Sequence, residues 1–176
     1  MAVQGLNFAR CPTRSGRMRP VLEIAIPGRE TIRAEHLLLD INGTLTVDGV
    51  LLPGVAGRLT RLGKQLHIRL LTADTFGTAA SVAQELGLEL TILAAGDGGP
   101  QKAALVRTLG PERVIAIGNG ANDVGMLQAA ALGIAVVQAE GAAAEALRAA
   151  DVVFGSICEA LDALLLPARL AATLRT

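Results

Sequence analysis

The chain has 176 residues, enough for one domain with a full hydrophobic core and too few for two ordinary ones. Hydrophobic residues make up 51% of it, but glycine, proline or charge interrupts every apolar run, and none approaches the ~20 residues that a membrane-spanning helix needs. The 16 Lys and Arg balance the 16 Asp and Glu, so the overall charge does not favour nucleic acid or an anionic membrane as a partner.

The amino-terminal stretch is basic. It carries four arginines and no acid between its first and last arginine: Arg10, Arg14, Arg17 and Arg19. Such a stretch is either an arm that contacts phosphates or a disordered tail, and we favour the tail. We expect residues 1–19 to be flexible, with Met18 as an alternative start, and residues 20–170 to form one domain. The stretch has no apolar segment and so does not resemble a secretory signal.

The cysteines and histidines show no metal-binding spacing. Cys11 and Cys158 are far apart and form no CxxC or Cys/His pattern. We therefore expect free thiols, which are typical of the reducing cytoplasm. His36 and His67 are isolated in the sequence and are interpreted as residues that border strands.

After the tail, the first element is a hairpin. Val21–Ile26 and Ile32–Arg33 flank the turn signal Pro27-Gly28-Arg29. Short apolar runs, partly β-branched, then predict six buried parallel strands. These runs are Leu37–Leu39, Ile68–Leu71, Leu90–Leu93, Val114–Ile117, Ile134–Val137 and Val152–Phe154.

Helix-length stretches rich in Ala and Leu follow the strands. They are Gly54–Leu62, Thr78–Leu86, Lys102–Leu109, Asp123–Ala130, Ala142–Ala149 and Ser156–Leu166. Alternating strands and helices predict an α/β, Rossmann-like fold, in which a parallel sheet has helices on both faces and right-handed crossovers. Such a sheet binds ligands at the carboxyl ends of its strands, so residues just after the strands should carry any chemistry.

Four polar clusters occupy or approach those positions. They are Asp40–Thr44, Thr72–Asp74, Gly98–Lys102 and Gly118–Asp123, the third at a predicted helix start. A carboxylate directly after a buried strand needs compensation by a metal, a lysine or backbone donors. Lys102 provides a positive charge, and Asp123 provides a second carboxylate suited to magnesium. The Gly43-Thr44 pair permits a tight turn and offers backbone amides and a hydroxyl to a phosphate.

The four clusters together resemble the motifs of the haloacid dehalogenase superfamily, and most closely the phosphorylation domain of P-type ATPases and the soluble proteins described as P-type ATPase-like. Asp40-Ile41-Asn42-Gly43-Thr44-Leu45-Thr46 is similar to the Asp-Lys-Thr-Gly-Thr-Leu-Thr signature of those ATPases. Leu71–Asp74 resembles their Leu-Thr-Gly-Asp, and Gly118–Leu127 resembles Gly-Asp-Gly-x-Asn-Asp-x-x-x-Leu. The resemblance spans roughly residues 36–154.

The resemblance implies a magnesium-dependent site in which Asp40 becomes an aspartyl phosphate. Catalytic roles then fall to Asp40, Asn42, Thr72 and Lys102. Phosphate binding falls to Gly43, Thr44, Thr72, Ala73 and Lys102. Mg²⁺ would be held by Asp40, the main-chain carbonyl of Asn42, Asn119 and Asp123. Asp74 matches the motif without an assigned role.

Two substitutions depart from the pattern. Phosphatases of the superfamily carry a second Asp where this chain has Asn42, and an amide cannot transfer the proton that this Asp delivers. Asn119 replaces a carboxylate of the metal loop, which should weaken Mg²⁺ binding. The stretch between Thr44 and Thr72 is too short for a large cap domain, and Val47–Leu52 suffices only for a small flap.

These observations predict a phosphatase-type hydrolase or phosphotransferase that is slow or specialised. The alternative is a non-catalytic module that binds a phospho-ligand or regulates, in which Asn42 and Asn119 record lost catalysis. The substrate would be a phosphorylated small molecule or a phosphoprotein. Ala-rich helix surfaces are compatible with association of copies.

Overall fold

The computed structural model describes residues 21–73, 77–94, 96 and 98–176. The predicted tail and Cys11 lie outside these residues. The described residues begin with a hairpin, in which β1 (Leu22–Ile24) pairs antiparallel with β2 (Ile32–Ala34). A second hairpin, β4 (Thr46–Val47) with β5 (Val50–Leu51), forms the expected small flap. The predicted amino-terminal hairpin is confirmed.

Six parallel strands form the central sheet. They are β3 (His36–Asp40), β6 (His67–Thr72), β7 (Glu89–Ile92), β8 (Val114–Gly118), β9 (Leu132–Val136) and β10 (Val152–Phe154). Their order is β10-β9-β8-β3-β6-β7. The first strand of this sheet, β3, therefore lies in its middle. The next two strands, β6 and β7, extend the sheet on one side of β3, and β8, β9 and β10 extend it on the other side. The strand order reverses between β3 and β8, and in such sheets ligands bind at the carboxyl edge of the reversal.

Seven α-helices cover the sheet in the described residues. They are α1 (Val55–Leu62), α2 (Ala79–Leu86), α3 (Gly98–Leu109), α4 (Val124–Ala129), α5 (Ala144–Ala149), α6 (Ile157–Leu165) and α7 (Ala168–Leu174). Short 3₁₀ turns precede β8 and α4. None of the helices in this part of the chain is long and apolar enough to cross a membrane.

Successive residues of β3 show that both faces of the sheet are covered. Leu37 and Leu39 pack in a core with α1, α2, α6 and α7, whereas Leu38 packs on the other face with α3, α4 and α5. Because side chains alternate along a strand, only a sheet buried on both faces needs an unbroken apolar run such as Leu37–Leu39. The predicted α/β architecture is confirmed.

Helix α3 begins earlier than the sequence pattern indicates. We expected a start at Lys102, but the helix starts at Gly98 and includes Pro100. Proline is tolerated there because the N–H groups of a first helical turn have no partner within the helix. Lys102 therefore lies in the second turn and is anchored on both sides by helical backbone.

Other differences concern the edges of the fold. Strand β7 is an edge strand with Ile92 57% exposed, and not a fully buried strand as predicted. The pattern missed α7, whose Leu170 and Leu174 pack in the core. His36 and His67 are isolated in sequence but adjacent in space, with ring centroids 5.6 Å apart, because β3 and β6 pair in register at the edge opposite the carboxyl ends. Cys158 is a free thiol.

Candidate active site

The predicted site residues gather where β3 and β8 end. A small cavity of about 150 Å³ opens at this edge, and its walls come from the loops after β3, β6 and β8. The lining residues are Asp40, Asn42, Thr72, Ala73, Asn119, Gly120 and Asn122. Each of these residues ends a strand or lies in the loop that follows one, as expected for a ligand site at the carboxyl ends of the strands. Asp74 lies outside the described residues.

A buried lysine joins two carboxylates beneath the cavity. Lys102 Nζ donates to Asp40 Oδ1 at 2.6 Å and to Asp123 Oδ1 at 2.6 Å. The Lys102 and Asp123 residues are 0% exposed, and Asp40 is 6% exposed. One positive charge against two negative ones leaves this group, if fully ionised, with a charge of −1 in a desolvated place.

The charge imbalance perturbs the protonation of Asp40. Burial and the neighbouring Asp123 carboxylate raise the pKa of Asp40 to about 7, although the charge of Lys102 and its hydrogen bond to Asp40 oppose them. For Lys102, burial favours the neutral amine, but the two carboxylates outweigh it and raise the pKa of Lys102. We conclude that Lys102 is charged at neutral pH and that Asp40 is near the midpoint of its titration there.

Asp123 faces the lysine and not the cavity. Its Oδ2 accepts the backbone N–H groups of Asn119 at 3.0 Å and Gly120 at 2.9 Å, while Oδ1 accepts Lys102. Gly118 leaves room for this arrangement, since a Cβ there would lie 2.4 Å from Asp123 Cγ. The geometry fits Asp123 as the residue that orients Lys102. Its role as a metal ligand stays a prediction that this arrangement does not favour.

The turn after β3 is closed by its own backbone. The carbonyl of Ile41 accepts the N–H groups of Thr44, Leu45 and Thr46, and Gly43 N–H donates to Thr46 O at 3.0 Å. Gly43 has a φ of +72°, and a Cβ on it would meet the Asn119 side chain at 2.4 Å, so both conformation and space require glycine.

This closed turn changes what the residues can offer a phosphate. The N–H groups of Gly43 and Thr44 were expected to face the ligand, but the structure pairs them inside the turn. The expectation that these two amides are available is wrong for this conformation. The hydroxyl of Thr44 donates to Asn119 Oδ1 at 3.1 Å, and Thr72 and Ala73 line the cavity.

The sequence analysis missed a fifth strand-end loop, which follows β9. Gln138 donates through Nε2 to the carbonyls of Gly43 and Thr44, and its Oε1 accepts Ile157 N–H at 3.2 Å. Glu140 Oε1 accepts the N–H of Asp48 at the flap turn at 2.9 Å. The signal was available, because these polar residues directly follow the predicted strand Ile134–Val137.

The oxygen donors around the cavity fit Mg²⁺ only if a bound phosphate supplies some of its ligands. The oxygen donors nearest the cavity are the Asp40 carboxylate and the carbonyl or amide oxygens of Asn42, Asn119 and Asn122. Within the part of the chain that the structure describes, no three His, Cys, Asp or Glu side chains converge as a metal-binding group. Mg²⁺ is commonly held by one or two carboxylates together with substrate phosphates. The residues therefore fit an ion that shares its coordination with a bound phosphate.

Comparisons with known proteins agree with this architecture. Residues 101–163 match the family described as haloacid dehalogenase-like hydrolase. An uncharacterized protein of Methanocaldococcus jannaschii is 47% identical over 64 residues, covering 36% of this chain and 69% of the relative. A second uncharacterized protein of that organism is 49% identical over 39 residues, covering 22% of this chain and 89% of the relative.

Solved structures share the fold at low sequence identity. The cobalt-bound deoxy-D-mannose-octulosonate 8-phosphate phosphatase of Haemophilus influenzae superposes with a TM-score of 0.61 at 18% identity, over 81% of this chain and 94% of that one. The 3-deoxy-D-manno-octulosonate 8-phosphate phosphatase of Moraxella catarrhalis, in complex with magnesium, phosphate and its sugar acid, gives 0.58 at 15% identity over the same shares.

Proposed function

Since the chain belongs to the haloacid dehalogenase superfamily, we propose that it is a magnesium-dependent phosphohydrolase or phosphotransferase in which Asp40 becomes phosphorylated. The observation that carries the proposal is the buried pairing of Lys102 with Asp40 and Asp123 beneath a cavity at the reversal of strand order. Buried charges with perturbed pKa values cluster at functional sites, and this cluster lies at the ligand-binding edge of the sheet, which supports a role for the charges in acting on a ligand.

In the proposed reaction, a carboxylate oxygen of Asp40 attacks the phosphorus of a bound phosphate ester or anhydride. The bond between phosphorus and the leaving oxygen breaks, and that oxygen takes the electron pair. Lys102 remains protonated and keeps Asp40 fixed while negative charge shifts toward the leaving group. A magnesium ion held by Asp40 and the carbonyl of Asn42 would neutralise the phosphoryl oxygens.

With Asn42 in place of an acid, the rate should depend on how strongly the leaving oxygen of the substrate needs a proton. Asn42 lines the cavity, and its side-chain amide can donate a hydrogen bond but cannot deliver a proton to the leaving oxygen. Loss of a general acid costs ~10² to 10⁴ in rate. Acyl and aryl phosphates, whose leaving oxygens need little protonation, should therefore react faster than alkyl phosphates. The same lack of a general base should make the aspartyl phosphate slow to hydrolyse.

The substrate class stays broad. We propose a phosphorylated small molecule or a phosphoprotein, because the cavity of about 150 Å³ accommodates little beyond the phosphoryl group. The sugar acid phosphate on which the structural neighbours act is one candidate for a screen. The soluble P-type ATPase-like proteins remain the proposed subgroup, and a cytoplasmic location and self-association remain expectations.

The test is phosphorylation by acetyl phosphate and hydrolysis of p-nitrophenyl phosphate, each with and without Mg²⁺. We expect turnover and a hydroxylamine-sensitive phosphate on the wild-type protein, and neither in Asp40→Asn. Asp162→Asn is the matched control, since this partly exposed carboxylate pairs with Arg58 and neither residue lines the cavity. Activity that survives Asp40→Asn would refute the proposed nucleophile.

The alternative is a module that binds a phospho-ligand without turning it over. The presence of amides at both Asn42 and Asn119, where the phosphatases of the superfamily carry carboxylates, favours this second candidate. It predicts that inorganic phosphate binds to the wild-type protein in calorimetry although no phosphorylation or turnover occurs. Phosphorylation of Asp40 under the same conditions would exclude it.

A further inference from the structure

Four hydrogen bonds close a ring through three loops at the edge of the cavity. Gln138 Nε2 donates to Thr44 O, and Thr44 Oγ1 donates to Asn119 Oδ1. Asn119 Nδ2 donates to Gly141 O at 3.0 Å, and Gly141 N–H donates back to Gln138 O at 2.8 Å. The loops after β3, β8 and β9 are thereby tied to one another.

The side chain of Gln138 also forms a hydrogen bond outside the ring. Its Oε1 accepts the N–H of Ile157, the first residue of α6, so one side-chain amide joins the turn after β3 to a core helix. All five side chains of α6 that lie in the core are fully buried, which makes this helix a rigid support. The turn after β3 is held against this support.

The consequence for Asp40 follows from the direction of the carbonyls. Because Gln138 Nε2 binds the carbonyls of Gly43 and Thr44, these oxygens point toward the loop after β9. The same turn carries the Thr44 hydroxyl, which bonds Asn119, and it follows Asp40 directly. A rotation of the turn would therefore displace both the nucleophile and the Asn119 side chain.

We propose that Gln138 is a positioning residue, whose amide fixes the turn after β3 so that Asp40 faces the phosphoryl group in line. This inference rests on the proposed function and does not require Gln138 to touch the substrate. Displacing a reacting group by about 1 Å can lower a rate ~10²-fold. We call the hydrogen bonds from Gln138 Nε2 to the carbonyls of Gly43 and Thr44 the clamp. Loss of the clamp should lower kcat and leave binding of the phosphoryl donor largely unchanged.

Two substitutions separate the two ends of the amide. Gln138→Glu keeps an acceptor for the Ile157 N–H but removes the donor that holds Thr44, whereas Gln138→Leu removes both. Gln65→Glu is the matched control, because it makes the same chemical change at an exposed position after α1. Turnover of acetyl phosphate and the thermal midpoint are measured for all three variants.

We expect kcat of Gln138→Glu to fall on the order of 10- to 100-fold, with KM within about twofold of the wild type and little change in the thermal midpoint. Gln138→Leu should lose as much kcat and also melt earlier, and Gln65→Glu should match the wild type. A Gln138→Glu variant with wild-type kcat, or with a loss confined to KM, would overturn the inference. So would a loss of kcat that simply parallels a loss of stability across the variants.

A second measurement does not depend on turnover. Amide hydrogen exchange of Gly141 N–H should be slow in the wild type and faster in Gln138→Glu, because the ring is open in the variant. If the wild type does not turn over acetyl phosphate, the proposed function fails. The exchange rates then still test whether the hydrogen bonds of Gln138 hold the loops together. Equal exchange rates in the two proteins would refute the clamp.

Discussion

Replacing Asp40 by asparagine should stabilise the metal-free protein at alkaline pH while it abolishes phosphorylation. The Asp40 carboxylate shares a desolvated place with Asp123, and only Lys102 balances the two. Asparagine keeps the shape of the side chain and an oxygen that accepts Lys102 Nζ. Its neutral amide removes one of the two negative charges, so Lys102 and Asp123 remain as a balanced pair.

The magnitude follows from the pKa of Asp40, which rises from 3.8 to about 7 on folding. A raised acid pKa contributes stability that is fully present below the unfolded value and is lost as pH rises through the folded value. A shift of roughly three units corresponds to about 4 kcal/mol at ~1.36 kcal/mol per unit. Above pH 7 the free energy of unfolding of the variant should therefore exceed that of the wild type by up to about 4 kcal/mol. Below pH 4 the two values should be nearly equal.

The assay is denaturation followed by circular dichroism, since the chain has no Trp or Tyr to report by fluorescence. Unfolding free energies are measured at pH 4, 6 and 8 with a chelator present, because a cation at Asp40 would lower its pKa. In thermal melts the gain at pH 8 should be roughly 10 °C. An advantage that is absent at pH 8, or that does not change with pH, would refute the reasoning about the buried charges.

Four further predictions concern single residues. Asn42→Asp restores a proton donor and should accelerate alkyl phosphate hydrolysis more than aryl phosphate hydrolysis, by up to ~10²-fold; an equal change for both would show that acid catalysis is not limiting. Asn119→Asp adds a carboxylate and should tighten Mg²⁺ binding in titration calorimetry, and unchanged or weaker binding would show that this side chain does not face the ion. Lys102→Met leaves two carboxylates unpaired and should cost about 3–5 kcal/mol in urea denaturation, so a loss under ~1 kcal/mol would contradict the pairing. Gly133→Ala places a Cβ 2.4 Å from a carbonyl of α4 and should cost about 1–3 kcal/mol in the same assay, whereas Gly57→Ala on α1, which has nothing within 4 Å, should be neutral or stabilising.

The architecture was predictable from the sequence because strands and helices alternate with distinct patterns. An apolar run such as Leu37–Leu39 is typical of a strand buried on both faces, and the observed β3 extends it by one residue at each end. The edges were harder, since a strand at the edge has the same propensities as a central one. The run Leu90–Leu93 gave no sign that β7 pairs on one side only.

The members of the site were predictable, but their orientation was not. Asp40 and Thr72 end strands and Asn119 follows one, and parallel strands bring such residues to a common edge. Which carboxylate would face the cavity depends on where Lys102 reaches and on two backbone N–H groups that bind Asp123. The clamp by Gln138 depends on distances between loops 94 residues apart, to which no local pattern refers.

The central position of β3 has a consequence for synthesis on the ribosome. Asp40 ends the first strand of the sheet, but the neighbour β8 and the partners Lys102 and Asp123 come from the later part of the chain. At about 5–20 residues per second, translation from Asp40 to Asp123 takes roughly 4–17 s. During that interval β3 is present without one of its two flanking strands and its terminal carboxylate without its lysine. The nascent chain therefore carries the Asp40 carboxylate without its charged partners, and the charged core assembles only when the second half of the sheet arrives.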